Sequence, residues 1–453
     1  MSPAQPEGGP LPGAGELPGA GELPGAVRAS SGSPPGSPPG SSARPFCVYL
    51  HVPYCRVRCG YCDFNTYTNL NMGPGASAGD FVDTLAGELA LAGAAMDRAG
   101  LPRRRARTVF VGGGTPTVLP AADLVRMLDL VRRTWGLAPG AEVTTEANPE
   151  TVDEAYLATL ARAGFTRVSV GMQSAVPRVL AVLDRAHTPQ RVPLVVDWAR
   201  RAGLSTSLDL IYGAPGESMD DWRRSLETAI GIGPDHISAY ALVVEEGTRM
   251  WGRVRRGELP MPSDDDEAAK YEMADAVLAG AGYRWYEISN WARPGAECRH
   301  NEAYWRDWDW YGAGPGAHSH LGDVRMWDVK HPVAWAGRVA AGRLPVAGHE
   351  VIDARARRLE RVMLGIRMRE GLDLAGLGGG EEDDDGGARG GGAAGPGRVP
   401  ERTGPGRTPT RLVPVVARLV ADGLLQPDAA LRGRAVLTLR GRLMADAVTR
   451  ALV

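Results

Sequence analysis

Short apolar runs alternate with amphipathic stretches through the first half of the chain, beginning at Phe46. The runs predict strands at 46–52, 108–112, 142–146, 167–171, 205–211 and 236–241. The amphipathic stretches predict helices at 81–98, 121–134, 154–163, 189–202 and 219–230. This alternation indicates parallel strands joined by helical crossovers. Six repeats favour a partial (β/α)6 barrel over a doubly wound sheet, and in both architectures the chemistry lies at the carboxyl ends of the strands.

Four regions follow from changes in composition along the chain. Residues 1–44 are rich in Pro and Gly and have no apolar periodicity, so we expect them to be disordered. Residues 45–275 form the α/β barrel, and residues 276–349 are rich in aromatic side chains. Residues 350–453 predict a helical, winged-helix-like α+β extension that contains a low-complexity insert at 376–409. Within it we expect a helix at 412–422, a strand at 435–438 and a helix at 439–452.

Charge and cysteine usage narrow the class of protein. The chain has 51 basic and 53 acidic residues, and this balance excludes a generally basic nucleic-acid coat. No apolar run has the length of a membrane span, and the first residues lack the pattern of a signal peptide. Three of the five cysteines lie within eight residues, which favours a metal site over a disulfide framework. We therefore expect a soluble, cytoplasmic protein that does not bind nucleic acid.

The clustered cysteines are Cys55, Cys59 and Cys62, spaced C-x3-C-x2-C directly after the first predicted strand. Thiolates are the ligands of iron–sulfur clusters, and a four-iron cluster held by only three of them keeps one iron open for chemistry. Zinc is the alternative, but zinc sites generally use paired C-x2-C spacings and four ligands. The chain has no second C-x2-C pair. We expect the other two cysteines, Cys47 and Cys298, not to ligate this cluster.

Polar residues stand where the next predicted strands end. They are the Gly113–Thr115 turn after the second strand, Glu146 after the third, Gln173 and then Arg185 after the fourth, and Asp209 in the fifth. Alone, the glycine-rich turn is a weak signal, and Glu146 would more often be a surface salt-bridge partner. Because parallel strands bring their carboxyl ends to one side, we expect these groups to form a single site.

The cysteine spacing and the strand-end motifs together resemble the radical S-adenosylmethionine (radical SAM) superfamily. Over roughly residues 45–450 the chain resembles the oxygen-independent coproporphyrinogen III oxidase-like family of that superfamily. The resemblance implies a [4Fe–4S] cluster on the three cysteines, with SAM on the open iron and an electron donor such as flavodoxin or ferredoxin. It implies these cofactor contacts: Tyr49, Tyr61, Gly113, Gly114, Thr115, Glu146, Gln173, Arg185 and Asp209.

Two subgroups of this family differ in function. Dehydrogenases carry a further cysteine two residues after the third ligand, whereas this chain has Phe64 there. They also have a structured N-terminal extension, which the low-complexity residues 1–44 do not resemble. These features favour the heme-chaperone subgroup, which implies heme as a ligand and apo-hemoproteins as acceptors, with peripheral membrane contact through the acceptor. The alternative is a radical oxidoreductase that decarboxylates propionate side chains of coproporphyrinogen III.

The segment from Cys298 to Trp305 carries a His-Asn-x-x-Tyr-Trp motif that resembles the heme-contact segment of the chaperone subgroup. The resemblance implies that His300, Tyr304 and Trp305 contact heme. Imidazole, thiolate and phenolate all ligate heme iron, and aromatic rings stack on porphyrins. Iron-ligand chemistry does not choose among His300, Cys298 and His318. A structural role in an aromatic core is the alternative for the whole segment.

Overall fold

The structure, a computed structural model, describes Leu23 and residues 44–377 and 408–453. The predictions of disorder at 1–44 and of an insert at 376–409 therefore lie almost entirely outside the described residues.

Six parallel strands form the wall of a partial barrel and confirm the predicted fold class. They are β1 (Phe46–Val52), β2 (Ala106–Gly113), β3 (Leu137–Ala147), β4 (Arg167–Gln173), β5 (Ser205–Tyr212) and β6 (His236–Ala241). Each strand pairs in parallel with the next. The crossover helices are α1 (Phe81–Arg98), α2 (Ala121–Thr134), α3 (Glu154–Ala163), α4 (Pro177–Val182), α5 (Arg191–Arg201) and α6 (Met219–Ile232). Of these six crossover helices, only α4 was not predicted from the sequence.

The helices pack on the outside of the strands through apolar stripes. Helix α1 buries Phe81, Leu85, Leu89, Ala92 and Met96, which recur at the three- and four-residue spacing of one helix face. The strands are buried on both faces, as parallel sheets usually are, and every residue of β4 is buried. Apolar packing between the helices and the strands therefore stabilises the barrel.

The sheet continues beyond the barrel at both edges, which the sequence did not predict. Strand β9 (Asp309–Ala313) pairs in parallel with β1, and β10 (His318–Leu321), β11 (Val324–Asp328) and β12 (Val346–Val351) follow in antiparallel order. At the other edge, β8 (Asn290–Ala292) joins β6 and β7 (Arg284–Glu287) joins β8. Helices α7 (Arg249–Arg255), α8 (Asp264–Gly280), α9 (Arg299–Trp305) and α10 (Pro332–Ala340) connect these strands. The aromatic-rich segment is thus part of the same sheet as the barrel.

A buried carboxyl group ties α1 to this extension. Glu88 accepts hydrogen bonds from Trp335 Nε1 at 2.7 Å, Gly314 N at 3.0 Å and the Tyr311 hydroxyl at 3.3 Å. Burial raises the pKa of Glu88 to about 7, although these hydrogen bonds oppose the rise. The contact holds Gly314 against β1, where a Cβ atom would lie 2.4 Å from the His51 carbonyl oxygen. Only glycine fits this position.

A second compact unit begins at Ala354. It contains α11 (Ala354–Gly365), β13 (Leu372–Asp373), α12 (Val413–Ala421), α13 (Pro427–Leu431), β14 (Arg434–Ala435), α14 (Leu439–Leu443) and α15 (Ala445–Leu452). The predicted strand at 435–438 is wrong in extent, because β14 ends at Ala435 and Thr438 instead caps α14. The predicted helix at 439–452 is two helices that meet at Met444. Within the described ranges, no helix combines the length and apolar character needed to cross a membrane.

Candidate functional site

The cysteine loop leaves the carboxyl end of β1 and is held by backbone hydrogen bonds. Cys55 N donates to the Tyr67 carbonyl at 3.0 Å, and Gly60 N donates to the Leu183 carbonyl at 3.1 Å. These bonds fasten the loop at two points, one on its own later residues and one after α4. Cys55 is buried, whereas Cys59 and Cys62 are partly exposed.

The thiols of Cys55, Cys59 and Cys62 do not surround a common position for a single ion. In the part of the chain that the structure describes, no three His, Cys, Asp or Glu side chains are grouped so that they could hold one metal ion. A zinc site needs all of its ligands about 2.0–2.3 Å from one centre, whereas the cysteines of an iron–sulfur cluster are shared among its irons. Burial raises the pKa of Cys55 to about 11 and also raises the pKa of Cys62. Loading with iron would therefore release protons.

The glycine-rich turn after β2 packs directly on this loop. Thr115 N donates to the Tyr54 carbonyl at 2.8 Å, and Thr115 Oγ1 lies 3.5 Å from Cys55 Sγ. A Cβ atom at Gly114 would lie 2.6 Å from the Tyr54 carbonyl oxygen and 3.0 Å from Cys55 Sγ. Glycine is required here because the turn approaches the first cysteine so closely.

Two partly buried carboxyl groups lie beside the turn. Glu146 Oε2 accepts the backbone N–H of Gly113 at 3.0 Å. Asp209 accepts hydrogen bonds from Ser169 Oγ and Ser238 Oγ, each at 2.8 Å. Burial raises the pKa of Glu146 to about 7, and the charge of Asp209 adds to the rise. Burial also raises the pKa of Asp209, against the two serine hydrogen bonds. The pair offers hydrogen-bond acceptors to a polar or cationic ligand.

A buried guanidinium group joins the cysteine loop to β4. Arg185 Nη1 donates to Cys59 Sγ at 3.6 Å, Nη2 donates to the Gly171 carbonyl at 3.1 Å, and Nε donates to His187 Nδ1 at 3.2 Å. Gln173 ends β4 with a φ of 62°, and its side chain also passes over Gly171, where a Cβ atom would lie 2.8 Å from Gln173 Nε2. Tyr61 is partly buried beside Cys59 and Arg185, and the removal of its hydroxyl from water raises the pKa of that hydroxyl.

Tyr49 lies on β1, below the turn. Its hydroxyl and His51 Nδ1 share a 3.0 Å hydrogen bond, and its ring stacks on Phe110 with centroids 6.3 Å apart. His51 Nε2 in turn lies 3.0 Å from the Asn65 carbonyl oxygen. Tyr49 therefore lies in the middle of β1, whereas the other predicted barrel residues lie at or near the carboxyl ends of their strands or in the loops that follow. Sequence reasoning missed His51, although it stands two residues after Tyr49 on the same strand face.

Cys298 and His300 of the Cys298–Trp305 segment are buried, which agrees with the structural role that the sequence left open as the alternative to heme contact. Cys298 precedes α9, and its thiol lies 3.6 Å from Glu142 Oε1 of β3. His300 is 2 % exposed, with Nδ1 2.6 Å from Thr108 Oγ1 and Nε2 3.0 Å from the Tyr304 hydroxyl. Burial lowers the pKa of His300 to about 3. The segment packs against β2 and β3, and both ring nitrogens of its histidine are hydrogen-bonded.

The remaining members of the predicted heme surface lie around this segment. Trp305 is half-buried and hydrogen-bonds to the side chain of Glu287. His318 is half-buried on β10, where its ring stacks on Trp327 with centroids 6.1 Å apart. His300 and His318 therefore lie on different elements, α9 and β10.

Comparison with known proteins identifies the family. Residues 49–229 match the Radical SAM superfamily. The chain is 49% identical over 411 residues to the heme chaperone HemW of Mycobacterium tuberculosis, covering 90% of this chain and 95% of that protein. It is 38% identical to the heme chaperone HemW of Escherichia coli, over 61% of this chain and 70% of that one. The fold matches the solved coproporphyrinogen III oxidase HemN of Escherichia coli with a TM-score of 0.71 and 20% identity, over 90% of each chain. The chain belongs to the HemW family of the radical SAM superfamily.

Proposed function

We propose that this protein binds heme and delivers it to apo-hemoproteins, and that it carries a [4Fe–4S] cluster and SAM. The observation that carries the proposal is the 49% identity, over 90% of the chain, to a relative named heme chaperone. Phe64 adds support, because the resemblance places a further cysteine there in the dehydrogenase subgroup. The HemN likeness supports only the fold, since 20% identity does not transfer an activity.

The cluster and SAM would be held by groups at or near the carboxyl ends of the strands. Cys55, Cys59 and Cys62 would each ligate one iron, and the open iron would take SAM. A reduced cluster of this type supplies the electron that cleaves the bound sulfonium. Thr115 Oγ1 would orient the Cys55 sulfur, and the Arg185 guanidinium would offset negative charge at Cys59.

SAM would lie between the glycine-rich turn and the two partly buried carboxyl groups. Glu146 and Asp209 would accept hydrogen bonds from its amine or ribose hydroxyls, and Gly113 and Gly114 would allow close approach of the backbone. Tyr61 and Tyr49 would exclude water from the cluster side and the barrel side. Gln173 would add a neutral donor and acceptor at the end of β4.

Heme would be ligated by His300, with Cys298 and His318 as the alternative ligands, and Tyr304 and Trp305 would contact the porphyrin. In the described conformation both ring nitrogens of His300 are hydrogen-bonded, so ligation of iron requires one of them to leave its partner, Thr108 or Tyr304. The proposed partners are apo-hemoproteins, which would bring peripheral membrane contact, and a low-potential donor such as flavodoxin or ferredoxin. The cytoplasmic location stays a prediction from the sequence.

Two anaerobic measurements on cluster-reconstituted protein separate this proposal from the radical oxidoreductase. Hemin titration should give saturable binding of about one heme per chain, from the single ligand segment found. His300→Ala should shift the Soret band, while His331→Ala, which changes an exposed histidine, should not. Incubation with coproporphyrinogen III, SAM and a reductant should give no decarboxylated product. Decarboxylation without saturable heme binding would establish the oxidoreductase instead.

A further inference from the structure

The guanidinium group of Arg185 is held at all three of its nitrogens. Nε donates to His187 Nδ1 at 3.2 Å, Nη2 donates to the Gly171 carbonyl at 3.1 Å, and Nη1 donates to Cys59 Sγ at 3.6 Å. The group is planar and rigid, so fixing two of its nitrogens also fixes the direction of the third. His187 and Gly171 therefore direct Nη1 at the sulfur of a proposed cluster ligand.

His187 makes this contact as a neutral imidazole. An arginine N–H only donates, so Nδ1 accepts, and the ring proton is on Nε2. Burial, together with the charge of Arg185, lowers the pKa of His187 to about 4, which agrees with a neutral ring. Among the described residues, Nε2 has no hydrogen-bond partner, although His187 is only 7 % exposed. In the same part of the chain, the bond to Arg185 is therefore the only hydrogen bond of the imidazole.

The unpaired ring nitrogen shows that histidine is not the best residue for packing at this position. A buried N–H without an acceptor destabilises a fold, whereas a hydrocarbon side chain would fill the space and leave no donor unpaired. What histidine provides and leucine does not is the acceptor for Arg185 Nε. The role of His187 is therefore to be sought in the position of Arg185.

The position of Arg185 bears on the charge of the proposed cluster. Reduction by one electron takes a [4Fe–4S]2+ core to [4Fe–4S]+, and a cation beside a ligand sulfur stabilises the more negative, reduced state. Hydrogen bonds to the sulfurs and the net charge around a cluster set its reduction potential. An arginine side chain has many rotamers, so without one of its two anchors the guanidinium would leave the sulfur for part of the time. The reduction potential would then fall.

We propose that His187 is a positioning residue for the cluster, which holds the Arg185 guanidinium against Cys59 and thereby raises the reduction potential. The inference rests on the proposed function, because it takes the cluster from there. The electron comes from the low-potential donor proposed above, and the cluster accepts it without breaking a bond. His187 acts on this transfer through Arg185, by making the reduced cluster more stable.

The test measures the midpoint potential of the [4Fe–4S]2+/[4Fe–4S]+ couple in the anaerobic, cluster-reconstituted full chain without SAM. A potentiometric titration follows the electron paramagnetic resonance signal of the reduced cluster, and its midpoint does not depend on how many chains carry a cluster. His187→Leu removes the acceptor, so reduction should become about tenfold less favourable, a fall of about 59 mV for one electron. An unchanged or higher midpoint would overturn the inference.

A conservative variant and a control separate the acceptor from the volume of the side chain. His187→Asn places a carbonyl oxygen one bond beyond the γ carbon, where histidine has Nδ1, and its midpoint should match that of the parent. A fall as large as that of His187→Leu would show that the acceptor is not what matters. His349→Leu makes the same change on β12, which three strands separate from β1, and should leave the midpoint unchanged.

A double-mutant cycle shows whether His187 acts through Arg185. Arg185→Gln should lower the midpoint by itself, and adding His187→Leu to it should change the midpoint little further, because the group to be positioned is already absent. Additive shifts would contradict the proposal. The failures are separable: a parent chain that takes up no iron and sulfide would sink the cluster of the proposed function, whereas a loaded cluster whose midpoint does not respond to His187 would sink only this inference.

Discussion

Cys59 shows how much of the proposed cluster rests on single side chains. Its sulfur is partly exposed and lies 3.6 Å from Arg185 Nη1. Cys59→Ala removes one of three thiolates, and we expect iron and sulfide per chain after anaerobic reconstitution to fall far below those of the parent. Cys47→Ala, which changes a fully buried cysteine on β1, should retain the full content. A complete cluster in Cys59→Ala would mean that another group ligates that iron.

Glu146 gives a prediction with a defined pH dependence. Burial, helped by the charge of Asp209, raises its pKa to about 7. Glu146→Gln keeps the shape but removes the charge, so SAM affinity at pH 8 should fall by about ten- to hundredfold, the worth of a charged hydrogen bond of about 1.5–3 kcal/mol.

The same pKa fixes the direction of the pH effect. Below pH 7 the parent carboxylate takes up a proton and loses its attraction for a cationic amine. Parent affinity should therefore fall on acidification from pH 8 to pH 6, while that of Glu146→Gln changes less. Calorimetry across this range measures both. Identical affinities and profiles for the two proteins would show that Glu146 does not contact SAM.

At the same scale, the sequence predicts which residues end the strands but not what surrounds them. Asp209 is a carboxylate within an apolar run and Glu146 is a carboxylate at the end of a predicted strand, so both are conspicuous in the sequence. Ser169 and Ser238, which hold Asp209, are small hydroxyl residues that occur anywhere in a chain. Nothing in the sequence distinguishes Phe110 from other apolar strand residues. These partners are defined by strand register, which no local pattern reveals.

Among the elements, helix α8 is fastened to the barrel by a buried charge. Lys270 Nζ donates to Asp266 Oδ2 at 2.5 Å and to the Glu217 carbonyl at 2.9 Å, and lies 3.5 Å from Glu217 Oε2. Lys270→Met leaves Glu217 buried without its cation, so the free energy of unfolding should fall by about 3–5 kcal/mol. Urea denaturation measures this loss. Lys330→Met, at the chain's other lysine, should change it by less than about 0.5 kcal/mol because that side chain is exposed. Equal stability of the two variants would contradict the role given to Lys270.

Element boundaries were predictable where apolar periodicity was long. Helices α1, α2 and α3 begin and end where the sequence predicts, since each has several turns of a regular apolar stripe. Strands β7 to β12 were missed because they are three to six residues long and mix tryptophan, tyrosine and histidine with apolar residues. They extend the barrel sheet from its two edge strands, with β9 pairing with β1 and β8 pairing with β6. Helix α4 has six residues, too few for a periodic pattern.

At the scale of the whole molecule, the contrast between the Pro/Gly-rich stretches and the rest of the chain leads to a deletion experiment. The Pro/Gly-rich stretches lack the apolar periodicity needed to bury a face, so cluster and SAM binding should not need them. The first deletion should end at residue 43, because Arg44 forms an ion pair with Asp307 at 3.3 Å. The second should replace residues 378–407 by a short Gly/Ser linker.

The doubly deleted chain should bind the same iron and sulfide per chain as the full chain, and its SAM dissociation constant should stay within about twofold. The reason is that every proposed ligand and its hydrogen-bond partners lie between residues 47 and 331, within the first compact unit. Deleting only one stretch at a time provides the control, since it shows which stretch matters if the double deletion fails. A deleted chain could keep its far-ultraviolet circular dichroism and its unfolding transition but lose cluster occupancy. That result would show that the low-complexity sequence contributes to the site and would contradict the proposed division of the chain into regions.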